Sequence, residues 1–158
     1  VRTGGRSGGF LATTYWVDTT EFDAMREKFE LSRPVVAILT VDNYEELMKV
    51  SGEAQRSAIQ AQIDEKLTAW AADAGLLVKT NRDRYLLLTE EKDYAHLAGE
   101  KFSVLDAMRE IGAEGSHPTL SIGVGREADG MAELHKNAAL SLEMALRRPG
   151  GGAGQAGL

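Results

Sequence analysis

The segment KTNRDRY, residues 79–85, holds two arginines and a carboxylate between the apolar runs GLLV and YLLLT. An arginine can bind a phosphate group through two parallel hydrogen bonds, so Arg82 and Arg84 are candidate phosphate ligands. Either arginine can equally be a solvated surface group, and Asp83 can simply accept hydrogen bonds from the backbone amides of a turn. Asn-Gly or Gly-Gly would fold more easily in a short hairpin. The segment is therefore both a predicted hairpin turn and a candidate site.

A second polar stretch, Asp42-Asn43-Tyr44, follows the apolar run VVAILTV. An aspartate at the end of a strand can cap the next helix, or it can contact a metal ion. Asn43 can form a turn, and Tyr44 can pack at the edge of the core or stack on a base. The residues alone leave these alternatives open.

The composition excludes several classes of function. The 158 residues carry a net charge of −6, so the chain lacks the basic balance of a nucleic-acid-binding protein. It has no cysteine, which excludes disulfides and thiolate metal sites, and its three histidines lie far apart in the sequence. No apolar run reaches the roughly 20 residues of a membrane span. We expect one soluble globular domain, compatible with a reducing cytoplasm.

The hydrophobic pattern predicts the elements that position these stretches. VVAILTV predicts a central strand buried on both faces, while LLVK and YLLLT predict the two strands of the hairpin. Apolar residues at helical spacing predict long helices over about 53–75, 94–111 and 131–147. TLSIGVG predicts a further strand, and ATTYWVDTT predicts a short one near the start of the chain.

This order of strands and helices predicts an α+β fold in which helices flank a mixed central sheet, related to the ferredoxin-like plan. A charged helix from about Thr20 to Leu31 precedes this unit and carries Phe22, Met25 and Phe29 on one stripe. We expect this helix to be a connector outside the main core. The first ten residues and the Gly-rich tail from Pro149 are expected to be flexible, without function or a packing pattern.

Taken together, TVDNYEEL after the first strand, the Asp-containing hairpin turn and the strand LSIGVG resemble a GGDEF domain, the domain of diguanylate cyclases. The resemblance covers about Pro34 to Arg148. VDNYEEL in particular is similar to the degenerate GGDEF domain of GdpP-type (YybT-like) cyclic-di-AMP phosphodiesterases. The resemblance implies a nucleotide-cyclase-like fold with a mixed central sheet, in which a further strand usually follows the last helix. The Gly-rich tail is expected to truncate or replace that strand.

In proteins of this type a PAS domain precedes the module and a DHH/DHHA1 phosphoesterase follows it. The resemblance therefore implies a flexible start and the end of a PAS-like domain in residues 1–19, a linker helix in 20–33, the degenerate GGDEF domain in 34–148 and the tail in 149–158. It also implies a cytoplasmic domain of a membrane-anchored bacterial protein. Hydrolysis of cyclic-di-AMP would belong to the DHH/DHHA1 domain, since no DHH triad occurs in this sequence.

Active GGDEF domains hold two metal ions with carboxylates, because the charge of a nucleoside triphosphate must be neutralised during the reaction. The resemblance aligns the family's Asp-x-Asp with Thr40-Val41-Asp42, and its Gly-Gly-Asp-Glu-Phe turn with Asn81-Arg82-Asp83-Arg84-Tyr85. Arg82 would occupy space that glycine leaves for the substrate, and Arg84 replaces a carboxylate. The resemblance therefore argues against diguanylate cyclase activity.

We expect a regulatory module that binds ATP or a similar nucleotide, with weak Mg²⁺-dependent ATP hydrolysis. The resemblance assigns a catalytic role to Asp83, Mg²⁺ ligation to Asp42 and Asp83, and nucleotide contacts to Asn43, Tyr44, Arg82 and Arg84. The alternative is a catalytically inert scaffold that forms a homodimer through the helix at 20–31 and relays signals between the PAS and DHH/DHHA1 domains. Phe22, Met25 and Phe29 would then be interface anchors.

Overall fold

The computed structural model describes residues 14–100, 102–112 and 116–147, together with the backbone of 156–157. Its sheet has the strand order β2-β3-β1-β4-β5. The strands are β1 (Pro34–Val41), β2 (Gly75–Lys79), β3 (Arg84–Glu90), β4 (Leu120–Gly125) and β5 (Ala156–Gly157). The first four in this spatial order are antiparallel to their neighbours, and β5 runs parallel to β4. The predicted mixed sheet and the predicted hairpin are both confirmed.

Helices lie on both faces of the sheet. They are α1 (Thr20–Leu31), α2 (Tyr44–Val50), α3 (Glu53–Ala71), α4 (Glu91–Gly99), α5 (Val104–Met108) and α6 (Met131–Leu146). Side chains of α3, α4 and α5 share the larger apolar cluster, and those of α6 share the smaller one. The α+β class is therefore the predicted one.

The centre of the sheet is β1, as its unbroken apolar sequence predicts. Val35, Ala37 and Leu39 belong to the larger cluster, while Val36 and Ile38 belong to the cluster under α6. Alternate residues of a strand point to opposite faces, so a strand covered on both sides is apolar along nearly all of its length, and Thr40 is the one polar residue of β1. The end of β1 is thereby held in a fixed position on the sheet.

Two glycines allow α6 to pack closely on β4. A side-chain carbon on Gly123 would collide with the backbone at Ala138, and one on Gly125 would collide with the carbonyl oxygen of Leu134. Glycine in a strand often marks such a close approach of another backbone. The buried stripe of α6 consists of Leu134, Ala138, Leu142 and Ala145, and the helix itself is the one predicted over 131–147.

The helix predicted over 94–111 is instead two helices, α4 and α5, separated by a break. Phe102 has a left-handed backbone conformation with φ 50° and is buried, and its amide donates to the carbonyl of Leu97 over 3.0 Å. Its ring packs 6.4 Å from that of Trp70 and 6.2 Å from that of Tyr94. Both segments bury apolar side chains in the same core, so the helical spacing of apolar residues continues across the break although the helix itself does not.

The two ends of the chain differ from expectation where they are described. Residues 14–19 of the stretch ATTYWVDTT form no strand. Tyr15 and Trp16 are 84% and 94% exposed. Their high β propensity is not enough to form a strand here, because the segment has no partner strand and no packed face. The tail supplies β5, which pairs with β4, although no packing pattern was expected there. The first ten residues, and most of the tail from Pro149, lie outside the described residues.

The connector α1 contributes no buried side chain, in agreement with its expected place outside the core. Among the described residues, none of the helices has the length and hydrophobicity needed to cross a bilayer.

Candidate functional site

The end of β1 and the tip of the hairpin lie side by side. The amide of Val41 donates to the carbonyl oxygen of Asp83 over 2.8 Å, which extends the β1–β3 ladder into the turn. Thr40 stands directly opposite Arg84 on β3 and directly opposite Ser121 on β4. The two polar stretches of the sequence therefore meet at one end of the sheet.

The alternation of side chains divides the predicted ligands between the two faces of the sheet. Leu86 packs with the cluster under α6 and Tyr85 with the opposite cluster, so Arg84 shares the α6 side with Leu86. Ser121 is directly opposite Thr40, whose neighbour Ile38 also packs under α6. These polar positions therefore share the face that α6 covers.

Asp42 is bound to β4. Its carboxylate accepts a hydrogen bond of 2.8 Å from the Ser121 hydroxyl, and its backbone amide donates to the carbonyl of Thr119 over 2.9 Å. Burial of the carboxylate raises the pKa of Asp42, and the hydrogen bond from Ser121 offsets part of this rise. Asn43, not Asp42, occupies the cap position of α2, and no side chain caps that helix. Of the alternatives for Asp42, helix capping is therefore wrong.

Asn43 holds the loop that leads into β4. Its side-chain nitrogen donates to the carbonyl of His117 over 2.8 Å, and its side-chain oxygen accepts from the amide of Thr119 over 2.9 Å. Both ends of the amide are thus engaged with the loop. The observed role of Asn43 is to position the chain, and a nucleotide contact by this side chain stays a prediction.

An open groove of about 950 Å³ lies on the other face, between α2, α3 and the hairpin tip. Of the predicted ligands, the groove brings together Tyr44, Arg82 and Asp83. Asp42, Asn43 and Arg84 do not belong to its lining. The sequence therefore predicted one site where the structure has a groove on one face and a polar cluster on the other.

A hydrogen-bonded cluster around Asp64 forms one wall of the groove. The carboxylate accepts a hydrogen bond of 2.5 Å from the Tyr85 hydroxyl and one of 3.3 Å from the Gln60 side-chain amide. The Lys79 ammonium donates to both carboxylate oxygens, at 2.9 Å each. Burial by itself would raise the pKa of Asp64, but these donors outweigh burial and lower it. Burial and the neighbouring carboxylate raise the pKa of Tyr85, so its phenol stays neutral.

Sequence reasoning missed the Asp64 cluster, although two signals for it were present. Gln60 and Asp64 are four residues apart and so lie on one face of a helix. Tyr85 stands where the GGDEF motif has Phe, and a buried phenol hydroxyl usually finds a partner. The sequence did not show that α3 passes beside the hairpin at this level, because that proximity is a tertiary contact.

The unpaired charges of the groove favour an anion. Asp64 and Lys79 form an ion pair of 2.9 Å, so their charges largely cancel. The basic side chains that remain in the lining are Lys49, Arg56 and Arg82, and the acidic ones are Glu45 and Asp83. Arg56 uses its Nε to bond the carbonyl of Ser51 over 3.0 Å, which leaves its terminal nitrogens for a ligand.

The two predicted metal ligands do not form a shared site. Nowhere in the described part of the chain do three or more His, Asp or Glu side chains group in a way that could hold a metal ion. Asp83 lines the groove, whereas Asp42 is bound to Ser121 on the α6 side. Mg²⁺ requires near-octahedral oxygen coordination, and two carboxylates in these different surroundings supply only part of it. Mg²⁺ ligation by Asp42 and Asp83 therefore stays a prediction.

Solved structures share this fold. The GGDEF domain of YfiN from Pseudomonas aeruginosa superimposes with a TM-score of 0.64 at 18% identity, over 87% of this chain and 88% of that one. An EAL/GGDEF domain protein from M. capsulatus gives a TM-score of 0.63 at 23% identity, over 80% and 86% of the two chains. The GGDEF domain of DgcB from Caulobacter crescentus, solved in complex with c-di-GMP, gives 0.63 at 13% identity, over 87% and 86%. At these identities the likeness shows the fold alone.

Sequence comparison is more specific. The chain is 36% identical over 138 residues to the cyclic-di-AMP phosphodiesterase GdpP of Geobacillus thermodenitrificans, covering 86% of this chain and 21% of that protein. It is 34% identical over 138 residues to the cyclic-di-AMP phosphodiesterase PdeA of Listeria monocytogenes, with the same coverages. The chain thus spans about a fifth of the length of these relatives. Residues 39–153 match the model of the GGDEF domain of GdpP-like cyclic-di-AMP phosphodiesterases, and the chain belongs to that family.

Proposed function

We propose that this GGDEF domain is a regulatory module that binds ATP or a similar nucleotide in the groove between α2, α3 and the hairpin tip. The observation that carries the proposal is the excess of basic side chains, Lys49, Arg56 and Arg82, around a groove of about 950 Å³. Ligand pockets typically have volumes of about 300–1,000 Å³, so the groove is large enough for a nucleotide. A triphosphate would supply the negative charge that the lining lacks.

The lining also offers groups suited to the other parts of a nucleotide. Tyr44 is a half-buried aromatic side chain on the α2 side, and aromatic rings bind bases by stacking. Arg82 is exposed at the hairpin tip, where its guanidinium can form two parallel hydrogen bonds with a phosphate. We therefore assign Tyr44 to the base and Arg82 to the phosphates.

The same geometry argues against diguanylate cyclase activity. Thr40 and Arg84 are cross-strand partners at the positions where the resemblance places a metal-binding Asp and a Glu. A hydroxyl and a guanidinium cannot replace two anionic ligands of a dication. We propose that nucleotide binding here depends on the basic side chains and requires no Mg²⁺ held between Asp42 and Asp83. Weak ATP hydrolysis with Asp83 as the catalytic group stays a prediction.

The role in a longer protein follows from the relatives. Their names describe cyclic-di-AMP phosphodiesterases, and this chain corresponds to about a fifth of their length. We propose that the module regulates a phosphodiesterase of that kind, between a PAS domain and a DHH/DHHA1 domain on the cytoplasmic side of a membrane-anchored bacterial protein. Occupancy of the groove would then report the nucleotide concentration to the neighbouring domains.

Isothermal titration of the chain with ATP, in Mg²⁺ and in EDTA, tests the proposal. We expect saturable binding in both buffers and at least tenfold weaker binding by Arg82→Glu. Arg26→Glu is the matched control, because Arg26 is an exposed arginine on α1 and its replacement changes the net charge equally. Absence of heat at millimolar ATP, or an equal loss in both variants, would contradict the proposal. If ATP binding disappears in EDTA, the site depends on a metal ion and the metal-independent proposal is wrong.

A second candidate is the inert scaffold that dimerises through α1. The observation in its favour is that Phe22, Met25 and Phe29 are 65%, 71% and 66% exposed on one stripe of the helix. Their spacing of three and four residues is that of a coiled-coil seam. If the chain is a dimer that Met25→Glu dissociates, and if ATP gives no heat, the scaffold is the better description.

A further inference from the structure

Strand β2 is an edge of the sheet. It pairs with β3 on one side, and no described residue pairs with its other side. Leu76 and Val78 are 61% and 43% exposed on the strand. Edge strands are normally protected by prolines, bulges or charges, yet GLLVK carries a single charge at its end. The exposed edge therefore has the features of a strand that accepts another strand.

The hairpin hydrogen bonds determine which backbone groups reach this edge. The amide of Thr80 donates to the carbonyl of Arg84 over 2.9 Å, so Thr80 directs its amide at β3. In an antiparallel pair the residues alternate, so Val78 also directs its N–H and C=O at β3. Leu77 and Lys79 direct theirs at the open edge. These outward groups lie at every second residue, as a further antiparallel strand requires.

We propose that two copies of this chain pair through their β2 strands, antiparallel and around a two-fold axis at Leu77, so that the two sheets become one. In this register Leu77 exchanges both hydrogen bonds with the partner's Leu77. Lys79 likewise pairs with the partner's Gly75. The outward backbone groups of the strand are then satisfied. The pairing of the two strands does not itself require nucleotide binding, although Arg82 also lines the groove.

The exposed side chains are complementary in the same register. On the face shared with Leu86 and Leu88, Leu76 lies opposite the partner's Val78, and Val78 lies opposite the partner's Leu76. Apolar cross-strand pairs of this kind contribute to sheet stability. Because Leu86 and Leu88 are half-buried next to them, pairing would extend one apolar surface across both copies.

The charges at the two ends of β2 favour pairing with a second copy of the chain, and they favour the antiparallel direction. Asp73 lies just before β2 and Arg82 lies just after it, and both are exposed. Antiparallel pairing brings Asp73 to the level of the hairpin tip that carries the partner's Arg82, and the two-fold axis repeats this contact. Parallel pairing would instead place like charges together. Because only the five residues of β2 from each copy pair, and stable interfaces bury roughly 1,000 Å² or more, we expect a reversible dimer.

Sedimentation equilibrium of the whole chain over a wide range of concentrations tests the pairing. We expect the apparent mass to rise to twice the mass of one chain. The double variant Leu76→Glu/Val78→Glu should remain monomeric, because it places carboxylates opposite one another. Its control is Val50→Glu/Met144→Glu, which adds the same charge at residues that are 68% and 72% exposed elsewhere, and which should still dimerise.

Amide hydrogen exchange identifies the edge directly. The amides of Leu77 and Lys79 should become protected as concentration rises, while that of Val78 should be protected at every concentration. Three results would each overturn the inference. The chain could be a monomer at all concentrations, or its dimer could lack protection at Leu77. The dimer could also be dissociated by Met25→Glu and not by Leu76→Glu/Val78→Glu. ATP titration of the β2 variant separates this inference from the proposed function, since binding should be retained.

Discussion

Thr40 and Arg84 face each other across β1 and β3, and the hydroxyl of Thr40 is buried without a hydrogen-bond partner among the described residues. The resemblance places a metal-binding Asp at Thr40 and the Glu of the GGDEF turn at Arg84. A guanidinium beside a hydroxyl repels a dication and attracts an anion. We therefore propose that the end of β1 favours an anion where the resemblance implies a metal ion.

The buried hydroxyl of Thr40 gives the first prediction. Thr40→Val replaces an unpartnered polar atom with a methyl group, so stability should be unchanged or should rise by about 1 kcal/mol. Thr89→Val is the control, because the equally buried Thr89 hydroxyl donates to the carbonyl of Ala74, and its loss should cost about 1–3 kcal/mol. Urea unfolding of both variants measures the difference. A cost above 1 kcal/mol for Thr40→Val would show that the hydroxyl has a partner.

Restoring the two carboxylates gives the second prediction. Thr40→Asp/Arg84→Glu should lower the melting temperature without metal, because two like charges would be adjacent and one of them buried. Millimolar Mn²⁺ should recover part of this loss, since the pair then forms a dication site.

The control for this restoration is Thr40→Asn/Arg84→Gln, which has similar shape without the charges and should not respond to Mn²⁺. Wild-type protein should not respond either. If Mn²⁺ raises the melting temperature of the wild type as much as that of the acidic variant, the native residues already hold a metal.

The longer elements of this fold could be predicted because they show their periodicity in the sequence, whereas the two-residue β5 shows none. The inward stripe of α6 and the hairpin strands follow directly from the spacing of apolar residues. The break at Phe102 could not be predicted, since its apolar neighbours keep a helical spacing while a left-handed residue turns the chain.

The candidate site was only partly predictable. Asp42 directly follows β1 and Asp83 directly precedes its neighbour β3, so the proximity of the two chain segments could be anticipated. The cross-strand register decides on which face of the sheet each side chain lies. A hydrogen-bond partner then fixes it there, as Ser121 does for Asp42. The Asp64 cluster depends on how α3 crosses the hairpin, which no local pattern specifies.

Asp42 provides the third prediction, a dependence of stability on pH. Desolvation raises its pKa in the folded state above the ordinary 3.8, although much of the residue is exposed to solvent. The ionised carboxylate therefore costs the fold only a small, solvent-screened amount of stability at neutral pH. That cost disappears as the pH falls through the folded-state pKa towards 3.8. Asp42→Asn keeps an acceptor for Ser121 and should therefore raise the urea midpoint slightly at pH 7, with the difference vanishing near pH 3.

Ser121→Ala supplies the opposite change for comparison, because it removes the donor that stabilises the carboxylate and should lower the midpoint at pH 7. Asp42→Asn should also leave ATP affinity within about twofold, since Asp42 lies outside the groove. A large loss of affinity in Asp42→Asn would support the metal role that the resemblance implies.

The hydroxyl of Tyr85 provides the fourth prediction. Tyr85→Phe removes the 2.5 Å hydrogen bond to Asp64 and should cost about 0.5–1.5 kcal/mol of stability at pH 7, whereas Tyr15→Phe, at an exposed phenol, should cost nothing. The folded state lowers the pKa of Asp64, so the contribution of this carboxylate is complete above pH 3.8 and is lost as the pH falls through its folded-state pKa. Urea unfolding at pH 7 and near pH 3 should therefore show the cost of Tyr85→Phe shrinking in acid. A cost independent of pH would mean that the phenol contributes through packing and not through the Asp64 carboxylate.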